Sequence, residues 1–334
     1  MTETVSWGVL STAKIGRTKV IPAMQAGTYS RIDAIASRDQ ATAERVAGEL
    51  GIARAYGSYE ALLADPAITA IYNPLPNHLH VPWTIRALEA GKHVLCEKPI
   101  ALTADEARQL IAARNRSGRL VAEAFMVRNT PWWQRVRELC QDGTIGDVRA
   151  IQTCFSYYND DPTNVRNQAG IGGGALMDIG CYAIATARYL FAAEPSRVCG
   201  LVDFDPALGV DRLTSAIIAF PGGHLTFTCS MQMAPFQRVV VVGSKARIEV
   251  LIPFNAPPDA ACRIVIDDGS NLDGSDGRVE TFPVVDQYTL QGDAFSQAIL
   301  DRHAIEFPIE DAIANMRVID AVFAAANTGA TISL

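Results

Sequence analysis

The stretch HVLCEKPIA, residues 93–101, sets an acid, a base and a proline directly after three apolar residues. Val94, Leu95 and Cys96 run like the end of a buried strand, and charged residues are rarely buried without a partner or a task. Glu97 and Lys98 are therefore candidate site residues, with Pro99 fixing the chain after the lysine. A second such place is WGVLSTAKIG, residues 7–16, where a dinucleotide-binding strand–turn–helix would fall. The G-x-G-x-x-G register lands on Ser11, Ala13 and Gly16, so only the third glycine is kept. Small residues at 11 and 13 still let backbone approach a pyrophosphate, which sits where the free N–H groups of a helix start point outward. Lys14 and the hydroxyls of Ser11 and Thr12 add polar contacts, and Ile15 completes the turn. About 20 residues on, NAD-binding chains place an acid for the ribose 2′-hydroxyl. Here Ser37 and Arg38 follow the strand RIDAIA, and Asp39 comes only afterwards. A guanidinium matches a 2′-phosphate bidentately, so NADP(H) is expected in preference to NAD(H).

Further candidates follow other strands. In IYNPLPNHLH, residues 71–80, turn residues stand at the carboxyl edge of the sheet, where open α/β sheets bind ligands. Asn73, Pro74, Leu75, Asn77 and His80 are candidates for the nicotinamide end of a cofactor, and Glu97 for its ribose. Glu123 and Arg128 reach cofactor or substrate from the end of a later strand, while Trp132 and Trp133 read as core. Tyr157 and Asn159 are candidate sugar contacts.

The elements that must position these residues fall into two rhythms. Val5–Leu10, 32–37, 68–73, 93–96 and 120–124 read as strands, separated by helical patterns such as 41–50, 81–90 and 104–117. Thr103 with Glu106 forms a capping box at the start of the last of these. Strands buried on both faces and separated by helices predict a doubly wound parallel sheet over residues 1–125. Beyond it, HLTFTCSMQM (224–233) alternates apolar and polar residues, and SAIIAF, RVVVV and ARIEV are further strands without intervening helices. Residues 126–334 are thus predicted to form an α+β domain with a large, mostly antiparallel sheet, the final helix packing back on the first domain. The neutral polar face of strand 224–233 suits either a second subunit or solvent.

Composition narrows the function classes. The net charge of −7 comes with no basic run, which argues against nucleic acid. No run of about 18 apolar residues predicts a membrane span, and MTETVSWGVL lacks the pattern of a secretory signal. Seven scattered cysteines without a C-x-x-C pair argue against a disulfide framework or zinc ribbon and for a reducing cytoplasm. The acidic loop 267–280 has no glutamate in register at its twelfth position, so neither calcium nor any other metal is expected.

Taken together, WGVLSTAKIG, AIASRD, IYNPLPNHLH, ALEAGKHVLCEKPIA, EAFMVR and GGGALMDIGCY resemble, in order, the glucose–fructose oxidoreductase / inositol dehydrogenase / rhizopine-catabolism family. The resemblance covers nearly the whole chain and implies a Rossmann domain followed by a domain with a large open sheet. It implies that Lys98 is the active-site lysine, that the Lys98–Pro99 bond is of a kind often cis, and that Asp178 and Tyr182 complete the catalytic set. Tyrosine at 182, where many relatives carry histidine, resembles the branch of sugar dehydrogenases, glucose–fructose oxidoreductase and dimeric dihydrodiol dehydrogenase. The family further implies a homodimer or homotetramer built through the second sheet.

Elementary chemistry fits those residue types. Taking hydride from an alcohol or hemiacetal leaves a hydroxyl proton that needs an acceptor. Free tyrosine and lysine titrate at roughly 10 and 10.4, and an ammonium beside a phenol favours the phenolate. Asp178 and Tyr182, four residues apart, share one face of a helix that GGGALMD would start near Gly174. The expectation is an NADP-dependent oxidoreductase acting on an aldose or a related polyol or diol. One alternative retains NADP tightly and shuttles hydride between two aldoses; the short stretch before the first strand favours free exchange instead. Another is a non-catalytic dinucleotide sensor, against which the retention of Lys98, Asp178 and Tyr182 argues.

Overall fold

The computed structural model describes residues 3–334, which divide into two compact units. One comprises the chain up to Met126 together with Asp286–Met316, and the other Val127–Val285 with Arg317–Leu334. The final helix, Ile309–Thr328, is shared between them, while the helix before it, Gln287–Leu300, belongs wholly to the first unit. The chain therefore returns to its first unit earlier than the sequence predicts.

The first unit holds a six-stranded sheet of β1 (Val5–Leu10), β2 (Ser30–Ala36), β3 (Arg54–Tyr56), β4 (Ala70–Asn73), β5 (His93–Cys96) and β6 (Val121–Glu123). The order is β3-β2-β1-β4-β5-β6, every neighbouring pair is parallel, and this is the arrangement of doubly wound dinucleotide-binding sheets. β1 is buried along all six residues because helices cover both faces. Gly8 lets them approach: a Cβ there would come 2.8 Å from Leu62 Cδ2. The helix Ala104–Ser117 starts as its capping box predicts, Thr103 Oγ1 accepting from Glu106 N and Glu106 Oε2 accepting from Leu102 N. The returning helix Gln287–Leu300 completes the core, since Trp7 donates to Ser296 Oγ and Asp293 accepts the N–H groups of Thr28 and Tyr29.

In the second unit a nine-stranded sheet contains β7 (Val148–Tyr158), β8 (Arg197–Phe204), β9 (Asp211–Phe220), β10 (Gly223–Ser230), β11 (Gln232–Gly243), β12 (Arg247–Val250), β13 (Arg263–Asp267), β14 (Arg278–Thr281) and β15 (Ile332–Ser333). Its order is β14-β13-β12-β11-β7-β10-β9-β8-β15, antiparallel except where β10 lies parallel to β7. The strand predicted over 224–233 is two: β10 ends at Ser230, and Met231, buried, turns the chain into β11. Along β10, Leu225, Phe227 and Cys229 face the core, and Thr226 and Thr228 lie on the opposite face.

Candidate functional site

In the first unit the candidate residues gather at the carboxyl ends of the parallel strands. Ser11 follows β1 with φ 82°, a left-handed backbone that favours glycine, in the place of the motif's first glycine. Its N–H donates to Ala36 O, and its Oγ accepts from Ala13 N, 3.3 Å away. The turn thus keeps the shape of the glycine motif without the residue. Gly16, the glycine that the motif retains, is not forced by packing, because a Cβ there would meet Pro74 and Tyr72 at an ordinary 3.7 Å. Thr12, Ala13 and Ile15 are partly exposed and Lys14 is exposed, leaving this backbone open to a phosphate.

After β2, Ser37 is nearly buried and its Oγ accepts from Asp39 N. Asp39 turns its carboxylate onto Thr42 N to cap the helix Gln40–Leu50, and that donation holds its pKa below the usual range. The acid is thereby engaged with its own helix. Arg38 is exposed and, among the described residues, has no acidic partner at salt-bridge distance. These residues fit a 2′-phosphorylated dinucleotide: an open backbone turn with a guanidinium at the end of the neighbouring strand.

The turn after β4 is held from within. Asn73 is fully buried; its Nδ2 donates to His80 O and Thr84 Oγ1, and its Oδ1 accepts from Leu75 N. His80 is also buried, with Nδ1 2.7 Å from Pro99 O and Nε2 2.6 Å from Leu75 O. Burial brings its pKa down to about 4, so above that pH the ring is neutral and donates through one nitrogen only, to one of the two carbonyls. Asn73 and His80 therefore tie the 73–75 turn to the Lys98–Pro99 segment rather than reaching outward. Pro74 and Leu75 are buried in the same turn, and Asn77 opens the short helical turn Asn77–Leu79.

Lys98 follows β5, and its bond to Pro99 is cis. Glu97 accepts from the buried Tyr72 hydroxyl at 2.7 Å and from Lys98 N at 3.3 Å. Burial and the neighbouring carboxylate push the Tyr72 phenol well above its ordinary value. Glu123, at the end of β6, accepts from Ile100 N at 2.7 Å. Two carboxylates and one imidazole thus hold the backbone on both sides of the lysine.

The second unit carries the remaining candidate residues. Gly174 and Ala175 lead into a helical run, Leu176–Gly180 as a π-helical turn and Cys181–Phe191 as α-helix, that carries Asp178 and Tyr182. The Tyr182 ring is 5 % exposed and packs 5.2 Å from the Phe254 ring and 6.1 Å from that of Phe155. Trp133 stacks on Phe254 and donates to Pro253 O, and Trp132 is buried as well, so both tryptophans are core as expected. Asp178 accepts from the Tyr157 hydroxyl at 2.6 Å and faces Arg166 Nε at 2.9 Å. Tyr157 is thus beside the carboxylate. Asn159 instead folds the loop after β7, accepting from Asn167 Nδ2 and Asp161 N. Arg128, buried in the turn Met126–Asn129, also lies in this unit.

Arg166 is the site residue that the sequence did not reveal. It sits in the single 3₁₀ turn Val165–Asn167, with neither periodicity nor motif around it. No metal-ligating cluster occurs among the described residues.

Comparison with known proteins agrees with both halves. Residues 5–125 match the family described as the oxidoreductase family with an NAD-binding Rossmann fold, and residues 133–249 match the GFO/IDH/MocA C-terminal domain. An uncharacterized oxidoreductase of Rhizobium meliloti is 47% identical over 97% of this chain and 98% of its own. A D-xylose 1-dehydrogenase (NADP(+)) of Haloferax volcanii is 38% identical over 98% of this chain and 99% of its own. Among solved structures, an aldose–aldose oxidoreductase from Caulobacter crescentus, complexed with glycerol, superposes with a TM-score of 0.90 at 26% identity, covering 99% of this chain and all of the other.

Proposed function

Because the chain belongs to the GFO/IDH/MocA oxidoreductase family, we propose that it moves hydride between NADP(H) and an aldose or related polyol or diol, exchanging the cofactor at each turnover. The observation that carries this reading is the pairing of Asp178 and Tyr182 on one helix, the carboxylate gripped by Tyr157 and Arg166 and the phenol set among aromatic rings. Such fixed geometry suits a proton acceptor and its orienter. When bound, the nicotinamide supplies the hydride acceptor. Ser11–Ile15 hold its pyrophosphate, Arg38 takes the 2′-phosphate, and Glu97 orients the ribose. Lys98 and Tyr182 form the relay that receives the substrate hydroxyl proton, and Asp178 accepts from a neighbouring substrate hydroxyl. As a carboxylate paired with Arg166, Asp178 offers acceptors only.

Lys98→Met is expected to lower turnover by at least ~10³-fold while dissociation of NADP changes little; an active variant would sink the relay. Nicotinamide absorbance, followed with excess NADP⁺ and a panel of aldoses, inositols and diols, tests the reaction itself. Many turnovers per site with one substrate would support free exchange. The likeness to the aldose–aldose oxidoreductase favours a second reading, in which one equivalent is reduced and a second sugar reoxidises it.

We further place the protein as a homodimer or homotetramer formed through the outer face of its nine-stranded sheet. Leu201, Ile217 and Phe236 there are 78 %, 55 % and 49 % exposed, and the face is hollowed by about 910 Å³. All seven cysteines are free thiols, four of them buried, which suits a reducing cytoplasm. No helix among the described residues is long and apolar enough to cross a membrane.

A further inference from the structure

Asp211 opens β9 and lies 2 % exposed, far in sequence from any motif. Its Oδ2 accepts from Leu176 N at 2.7 Å and from Thr214 Oγ1 at 2.9 Å. The carboxylate therefore sits on the N-terminus of the helical run that carries Asp178 and Tyr182, whose N–H groups have no partner within the helix. Gly174, at φ 115°, makes room for it, since a Cβ there would overlap Asp211 Oδ1. Gly173 is fixed for a different reason, because a Cβ would come 2.5 Å from Arg166 O. The same turn binds Arg166 again, its carbonyl accepting from Gly174 N at 2.8 Å. From the far side, the Arg166 guanidinium meets Asp178.

We propose that Asp211 is a positioning residue: by clamping the Gly173–Gly174 turn and the start of the helix, it fixes Asp178, Tyr182 and Arg166 relative to one another. This rests on the reading that Tyr182 takes part in receiving the substrate proton and Asp178 accepts from a neighbouring substrate hydroxyl. Leu176 N and the Thr214 hydroxyl both donate to Oδ2, and the carboxylate meets these donors as an acceptor only. Burial pushes its pKa up to about 6, against the pull of those donors, so it is an anion above that pH. The thiol of Cys229, across from it on β10, is itself raised well above its ordinary value by burial and stays neutral.

The test compares Asp211→Asn and Thr214→Val with the wild type by amide hydrogen exchange at pH 7.5, steady-state kinetics and thermal unfolding. For Asp211→Asn, the amides of residues 175–180 should exchange at least ~10-fold faster. Its kcat should fall at least ~10-fold with the KM for NADP⁺ within about 3-fold. Thr214→Val should move the same readouts in the same direction by a few-fold, and it carries the test should the asparagine variant not fold. Unchanged exchange at 175–180 in both variants would overturn the clamp. Faster exchange throughout the unit, or faster local exchange with unaltered kcat, would overturn the positioning role. Should Tyr182→Phe keep full activity, the catalytic reading fails instead, and the exchange experiment still decides whether the clamp exists.

Discussion

Arg38 is the residue to which we assign the choice of cofactor. Asp39, the next residue, is engaged in capping its own helix, and the guanidinium is exposed at the strand end. Charge-assisted bonds to a phosphate contribute about 2–3 kcal/mol, or roughly 30- to 150-fold in affinity. Arg38→Ala should therefore weaken NADP binding by that factor and leave NAD binding within a few-fold. Unchanged NADP affinity by titration would remove Arg38 from the site. At this scale the sequence offered candidates wherever a residue stood in a motif, as with Lys98, Asp178 and Tyr182. Arg166 and Asp211 stand in no motif, because they meet the helical run of Asp178 and Tyr182 through segments folded onto it, not as neighbours in the chain. Asn73 and His80 had suitable types for a ligand site, yet their polar atoms face protein partners.

Between elements, His93 links β5 to the segment that opens β6. Its Nδ1 accepts from Leu120 N at 3.0 Å, which requires the neutral ring. Burial, with a smaller push from Arg119, lowers its pKa to about 4 from the ordinary 6.5. The unfolded chain then binds more protons than the folded one between those values. Stability from this contact is complete above about pH 6.5 and is lost as pH falls towards 4. His93→Gln should flatten that part of a stability-against-pH curve measured by urea unfolding, and an unchanged slope would contradict the assignment. Elements with a strong period were legible, such as β1 and the helix Ala104–Ser117 with its cap. β3, only Arg54–Tyr56, has no apolar run to betray it and exists because β2 offers it a parallel edge. The predicted strand divides at Met231 because its N–H still continues the register with β9, on Arg212 O, whereas Gln232 already pairs with Tyr158 on the other side of β7.

For the molecule as a whole, the outer sheet face is where assembly should be read. Across it run Cys154, Thr228 and Ser215 in paired register, ending at Leu201 on β8. Its one charged lining residue, Arg238, is paired with Glu249, and a face of this kind suits burial against a like surface. Leu201→Glu should convert the assembled protein to monomer by light scattering while each chain stays folded. A wild-type protein already monomeric at micromolar concentration would remove this interface. Fold class was legible from the contrast between helix-separated strands and consecutive ones. Which late segment completes the first core was not, because those contacts join residues hundreds of positions apart.

That separation has a consequence for how the chain is made. Trp7 donates to Ser296 across 289 residues, and Asp293 holds the backbone of Thr28 and Tyr29. A ribosome adding 5–20 residues per second needs roughly 8–32 s to go from the end of β6 near residue 125 to residue 286, where the returning segment begins. For that interval the nascent sheet is synthesised but one covering helix short, and its apolar surface is exposed to whatever chaperones attend the tunnel exit.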